Sequence, residues 1–121
     1  MRTDVPKILV AEDEDGVRRI FQLLLEKSGY SVLTAVDGKA AYTMYQQEKP
    51  DFLVSDINMP NMNGFELLAK IREKDKNLPA ILVSGYWEYK GRITEDPKVE
   101  YMLKPLDYQK LCKRIRHALA V

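Results

Sequence analysis

The stretch VSDINMPNMNGFEL, residues 54–67, joins a strand to a helix through an acid. The apolar run Phe52-Leu53-Val54-Ser55 stops at Asp56. Pro60 and Gly64 punctuate the chain, and Phe65, Leu67, Leu68 and Ile71 then repeat at helical spacing, with Asn63 placed as the N-cap. A short apolar strand run that gives way to a 3.6-residue period across a short loop is half of a strand–helix–strand unit. Other such units flank it on both sides.

Toward the N-terminus, Lys7–Ala11 is a short β-rich run that ends at Glu12-Asp13-Glu14-Asp15-Gly16. Val17, Ile20, Phe21, Leu24 and Leu25 then mark a helix that Gly29 stops. Tyr30–Val36 reads as a second strand closed by the turn pair Asp37-Gly38, and Ala40, Ala41, Met44 and Tyr45 as a helix that ends before Pro50. Toward the C-terminus, Ala80–Val83 and Val99–Leu103 are strands. Leu111, Cys112, Ile115, Ala118 and Leu119 define a last helix with Asp107 at its start.

Alternating strands and helices imply right-handed crossovers and a parallel sheet covered on both faces. The nearly unbroken apolar strands 1, 3 and 4 belong at the centre. Ser31 and Thr34 put strand 2 at one edge, and Glu100 and Tyr101 put strand 5 at the other. The expected fold is α/β: one doubly wound, five-stranded parallel sheet of flavodoxin-like order 2-1-3-4-5, with helices on both faces. Only residues 85–97 resist the pattern, because Gly85, Gly91 and Pro97 interrupt what should be a helix.

Size and charge narrow the classes of function. A chain of 121 residues, 45% hydrophobic, is expected to form one domain over residues 1–121. That is compatible with a stand-alone domain and with one domain of a longer protein. A net charge of +1 gives no electrostatic footprint for nucleic acid. Ile8–Ala11, the longest apolar run near the N-terminus, is too short for a signal peptide or a membrane span. The single cysteine, Cys112, excludes an internal disulfide and fits a reducing, cytoplasmic setting. It lies on the apolar face of the last helix and reads as a core thiol.

In an open parallel sheet, ligands bind at the carboxyl ends of the strands. Strand 1 delivers Glu12 and Asp13 there, strand 3 Asp56, strand 4 Ser84 and strand 5 Lys104. Singly, each has a plain reading: helix-start acids, a turn acid, a loop hydroxyl, a solvated lysine. Together they require several coincidences at one sheet edge. Carboxylates packed together repel unless a cation neutralises them, and Mg²⁺ takes hard oxygen ligands and shares its shell with phosphate. Glu12, Asp13 and Asp56 suit that cation. A lysine and a hydroxyl around a central carboxylate complete the parts needed for phosphoryl transfer, with Asp56 placed as nucleophile.

These residues resemble the receiver domain of two-component response regulators, of the chemotaxis-regulator-like kind. The resemblance covers essentially the whole chain. It is carried by VAEDE at 10–14, SDINMPNMNG at 55–64, VSG at 83–85 and YMLKP at 101–105. It implies that Asp56 is the phosphoacceptor and that Glu12 and Asp13 hold Mg²⁺ together with Asp56 and the backbone carbonyl of Asn58. It implies that Ser84 moves toward the phosphoryl group, that Lys104 pairs with that group, and that Tyr101 is an aromatic switch. A cis Lys104-Pro105 peptide is also implied. So is a phosphohistidine donor on a sensor histidine kinase or histidine phosphotransfer protein, with small acyl phosphates as substitutes. The output partner would be a separate protein or a further domain.

The chain departs from the family's pattern between strands 4 and 5. Gly85 follows Ser84, Asp96-Pro97-Lys98 precedes the last strand, and Tyr86-Trp87-Glu88-Tyr89 is unusually aromatic. A short or mobile helix is expected there, with Tyr86 shielding the site from water and Trp87 as a contact residue.

Other signals are weaker. Asp56-Ile57-Asn58 starts like an EF-hand loop, but the sixth and twelfth positions are Asn61 and Leu67 rather than Gly and Glu. No phosphate-binding glycine loop and no paired Cys or His for zinc is present. His117 suits the C-terminus of the last helix, and Lys110, Lys113, Arg114 and Arg116 form a basic stripe along it. Two alternatives to a signalling switch fit these residues less well. A phosphatase or phosphotransferase of the haloacid dehalogenase type needs a second acid two residues after the nucleophile, where this chain has Asn58. A degenerate receiver used as a constitutive interaction module conflicts with the complete set Glu12, Asp13, Asp56, Ser84 and Lys104.

Overall fold

The computed structural model describes residues 5–85 and 96–120. Five strands of five residues each, β1 (Lys7–Ala11), β2 (Ser31–Ala35), β3 (Phe52–Asp56), β4 (Ala80–Ser84) and β5 (Val99–Leu103), pair in parallel in the order β2-β1-β3-β4-β5. The helices are α1 (Asp15–Lys27), α2 (Gly38–Glu48), α3 (Gly64–Arg72) and α4 (Tyr108–Leu119). The expected fold is the observed one. β3 takes Asp56 as its final residue, and β2 is a residue shorter at each end than the sequence suggests. The readings of residues 86–95, including Tyr86, Trp87 and the short helix, lie outside the described residues.

Strand order follows burial. Every residue of β3 and β4 is buried, whereas β2 and β5 each carry an exposed position, Ser31 and Glu100. The period of two in the strands divides the core into two layers. Leu9, Ala11, Leu53 and Leu82 face α2 and α3, where they meet Ala41, Leu67, Leu68 and Ile71. Ile8, Val10, Val54, Ile81 and Val83 face α1 and α4, where they meet Phe21, Leu25, Leu111 and Ile115. Each fully buried leucine or isoleucine stabilises the fold by about 1.5–3 kcal/mol relative to an exposed one. A one-residue slip of any central strand would exchange the two layers, so the register is strongly specified.

The helix ends are set by local chemistry. At the end of α1 the Tyr30 N–H donates to Leu25 O at 3.1 Å and the Gly29 N–H to Glu26 O at 3.0 Å, a Schellman closure that needs Gly29 at φ +99°. Asn63 caps α3 as expected, and the cap is reciprocal: Asn63 Oδ1 accepts from the Glu66 N–H while Glu66 Oε1 accepts from the Asn63 N–H, both at 2.9 Å. Asp107 caps α4 by accepting from the Lys110 N–H at 3.1 Å. Asp37, read from sequence as half of a turn pair, is the N-cap of α2. No helix among the described residues is long and apolar enough to cross a membrane.

Candidate functional site

Because every strand is parallel, the C-terminal residues of β1, β3, β4 and β5 finish at one edge of the sheet. Register fixes their order: Ala11 pairs with Ser55, Asp56 with Val83, and Ser84 with Leu103. The acids after β1, the acid ending β3, the hydroxyl ending β4 and the lysine after β5 are therefore delivered side by side.

Glu12 and Asp56 are buried and Asp13 is exposed, and one carboxylate oxygen from each lies within 4.8 Å of the others. Lys104 bridges the buried pair. Its Nζ stands 3.4 Å from Asp56 Oδ1 and 3.9 Å from Glu12 Oε1. Asp56 Oδ1 also accepts from its neighbour's backbone, the Ile57 N–H, at 3.0 Å. Glu12 Oε2 accepts from the Glu14 N–H at 3.1 Å, but Glu12 Oε1 is buried and has no hydrogen-bond partner among the described residues. A buried oxygen left without a donor is costly and calls for a cation or a donor.

The electrostatics agree with the geometry. Burial pushes the Glu12 carboxyl up to about 7, with a further push from Asp56, against the opposing Glu14 N–H and Lys104. Burial also raises Asp56, and Lys104 counters it. Among the described residues one lysine faces the three acids, which leaves the cluster undercompensated. Its donors are all hard oxygens confined to a few ångströms, the set that a small divalent cation prefers. The fit to Mg²⁺ rests on that donor set and on the orphaned Glu12 Oε1.

Ser84 is buried at the end of β4, and its carbonyl accepts from the Lys104 N–H at 2.9 Å. Asn58 is exposed in the β3–α3 loop. Tyr101, in the middle of β5, is half-buried against the core layer under α2 and α3. Lys104-Pro105 is cis. Gly64 is required by packing, since a Cβ there would lie 2.6 Å from the Asp56 carbonyl oxygen. Cys112 is half-buried against the α1–α4 layer.

Sequence reasoning passed over two neighbours of the site. Tyr108 packs edge-on against Phe21 at 5.6 Å, and its hydroxyl is raised by burial and by Glu12. Asn61 donates through Nδ2 to Asp37 Oδ2 at 2.7 Å, which ties the β3–α3 loop to the start of α2. The positive φ of Asn61 was foreshadowed only by its residue type, since Asn tolerates the left-handed region.

Comparison with known proteins matches the same features. The model of the response regulator receiver domain family matches residues 8–116. The chain is 36% identical over 121 residues to a probable transcriptional regulator ycf27 of Cyanophora paradoxa, covering 98% of this chain and 50% of that protein. It is 32% identical over 115 residues to the alkaline phosphatase synthesis transcriptional regulatory protein PhoP of Bacillus subtilis, covering 93% of this chain and 48% of that protein. The chain thus spans about half the length of these curated relatives. Among solved structures, it is similar to the response regulator protein TrrA of Thermotoga maritima in complex with Mg²⁺-BeF, at a TM-score of 0.87 and 29% identity, covering 95% of this chain and 100% of that one. It is also similar to the receiver domain of the hybrid histidine kinase CckA, at a TM-score of 0.80 and 34% identity, covering 94% and 99%. Sheet order, the acid cluster and these matches converge, and the chain belongs to the response regulator receiver domain family.

Proposed function

We propose that residues 1–121 form one receiver domain that works as a phosphorylation-controlled switch, with Asp56 as phosphoacceptor. The reading is carried by one observation: three carboxylates converge within 4.8 Å beside a lysine, and one buried carboxylate oxygen among them has no hydrogen-bond partner among the described residues. Glu12, Asp13, Asp56 and the backbone carbonyl of Asn58 hold Mg²⁺, which when bound neutralises charge on the phosphoryl oxygens.

The donor is a phosphohistidine on a sensor histidine kinase or histidine phosphotransfer protein. An Asp56 carboxylate oxygen attacks phosphorus, an O–P bond forms, the N–P bond breaks, and the imidazole leaves with the bonding pair. Lys104, already beside Asp56 Oδ1, stabilises the transferred negative charge. The Ser84 hydroxyl donates to a phosphoryl oxygen, and Tyr101 responds to the movement of Ser84. The domain acts on its own Asp56 rather than turning over a separate substrate, so it is a switch and not an enzyme. It operates in the cytoplasm, contacts neither nucleic acid nor membrane itself, and relays its state by protein contacts to an output protein or domain.

Incubation with Mg²⁺ and acetyl phosphate should yield a phosphorylated band that Asp56→Asn abolishes. Absence of the band in the wild type, or its persistence in Asp56→Asn, overturns the reading.

A further inference from the structure

The loop between β3 and α3 is gripped from outside by the start of α2. Asn61 sits at φ +68°, and the Met62 N–H donates to Pro60 O at 2.7 Å, closing a three-residue turn around it. Few side chains accept a left-handed position in so tight a turn, and Asn is one of them. The amide of Asn61 then reaches Asp37 Oδ2 at 2.7 Å. The second oxygen of that carboxylate, Oδ1, accepts from the Ala40 N–H at 2.7 Å and caps α2. One residue on, the Gly38 N–H donates to Met62 O at 3.1 Å, and a Cβ on Gly38 would lie 2.2 Å from that oxygen. Two consecutive residues at one helix start therefore hold two consecutive residues of the turn.

The ends of the loop are fixed separately. The Ile57 N–H donates to Val83 O at 2.9 Å, the Gly64 N–H to Ile57 O at 2.8 Å, and the Asn63–Glu66 box seals the start of α3. Asn58 stands between the anchored Ile57 and the gripped Asn61. Displacement of the turn is displacement of the segment that carries the Asn58 carbonyl.

We propose that Asp37 and Asn61 are positioning residues, whose hydrogen bond sets the phosphoacceptor loop and through it the Asn58 carbonyl that completes the cation shell. The inference rests on the proposed function, since it concerns the same cation and the same loop. Neither residue touches the reacting atoms. Asp37 serves two elements with one carboxylate: its first oxygen starts a helix, and its second places a loop from a different crossover, 24 residues away.

Two substitutions separate the grip from the folding of its surroundings. Asn61→Gly retains the left-handed backbone at no steric cost and deletes only the amide. Asp37→Ser keeps a cap acceptor for Ala40 and removes the oxygen that reaches Asn61. The measurements are the Mg²⁺ Kd by calorimetric titration, the initial rate of Asp56 labelling by acetyl phosphate, and the urea midpoint without metal. Each single variant should raise the Mg²⁺ Kd about threefold or more and slow labelling, as expected for loss of one charge-assisted hydrogen bond. The double variant should be no worse than the poorer single, because both remove the same bond. The metal-free urea midpoint of Asn61→Gly should fall only slightly, while the Mg²⁺ Kd rises even in buffer where the variant is fully folded, a split that a purely structural role would not give. A wild-type Kd and rate in Asn61→Gly, or losses that add fully in the double variant, overturn the inference while leaving the proposed function standing. A wild-type protein that neither binds Mg²⁺ nor becomes labelled overturns both.

Discussion

The two ends of the sheet each carry a cluster of buried or half-buried charges, and the clusters are finished differently. At the amino edge, Arg72 donates through Nε to Asp96 Oδ2 at 2.7 Å, through one guanidinium nitrogen to Asp75 O at 3.0 Å and through the other to Leu78 O at 2.7 Å. The free oxygen of Asp96 accepts from the Lys98 N–H at 2.9 Å. Burial pushes the Asp96 carboxyl up, but the bonds from Arg72 and Lys98 outweigh it and leave the group below its ordinary value. At the carboxyl edge, Glu12 and Asp56 share one lysine, Glu12 Oε1 has no hydrogen-bond donor among the described residues, and both acids are raised. Both clusters pair an acid near a strand end with a base, supplied by helix α3 in one and by the residue after β5 in the other. One is complete within the chain and serves as an anchor. The other is left incomplete among the described residues, and that incompleteness separates a site from a clasp.

The comparison can be broken most forcefully at the anchor. Arg72→Ala should lower stability by about 3 kcal/mol, since it strands a half-buried carboxylate and two backbone carbonyls. The urea midpoint measures this, and the Mg²⁺ affinity should not change in parallel. A loss below about 1 kcal/mol would mean that the clasp is only a surface ion pair.

The open cluster should show itself through pH. Glu12 has a folded-state value of about 7 against an ordinary 4.5, so the folded protein holds this proton more tightly than the unfolded chain does. Metal-free stability should therefore fall as pH rises from about 4.5 to about 7, by roughly 2 kcal/mol, and then level off. The raised Asp56 acts in the same direction. Denaturant midpoints collected across this range in a chelator should trace the fall, and Glu12→Gln should flatten most of it. A stability that climbs through this window would contradict the assigned strain at the carboxyl edge.

The smallest effect belongs to a part of the carboxyl edge that is internally complete. Asn63→Ala removes one arm of the α3 capping box and should cost about 1 kcal/mol, with no change in the pH profile. A changed profile would mean that the start of the helix and the acid cluster are electrostatically one unit.

Much of this was legible in the sequence because it is periodic or local. Apolar spacing gave every described strand and helix, and the edge strands announced themselves through Ser31 and Glu100. Glu12, Asp13, Asp56, Ser84 and Lys104 could be placed together because a parallel sheet brings all of its strand ends to one side. What could not be read depends on distance across the fold. Arg72 and Asp96 are separated by 24 residues, and nothing in either neighbourhood names the partner. The missing donor at Glu12 Oε1 is a property of burial, which the acidic run Glu12–Asp15 conceals by resembling a solvated helix start. Asp37-Gly38 looks the same whether it turns a chain or caps a helix, and only the loop docked against it reveals the second use of the carboxylate.

Helix α3 acquires a mechanical meaning from its two ends. Its first residue, Gly64, rests directly on the backbone of Asp56, with no side chain between them. Its last residue, Arg72, grips Asp96 just ahead of β5. The nine residues from Gly64 to Arg72 form a strut about 13 Å long. An α-helix resists shortening, so a thrust at the head of the strut becomes travel at its foot. The acid that ends the central strand and the approach to the last strand thus lie at opposite ends of one helix.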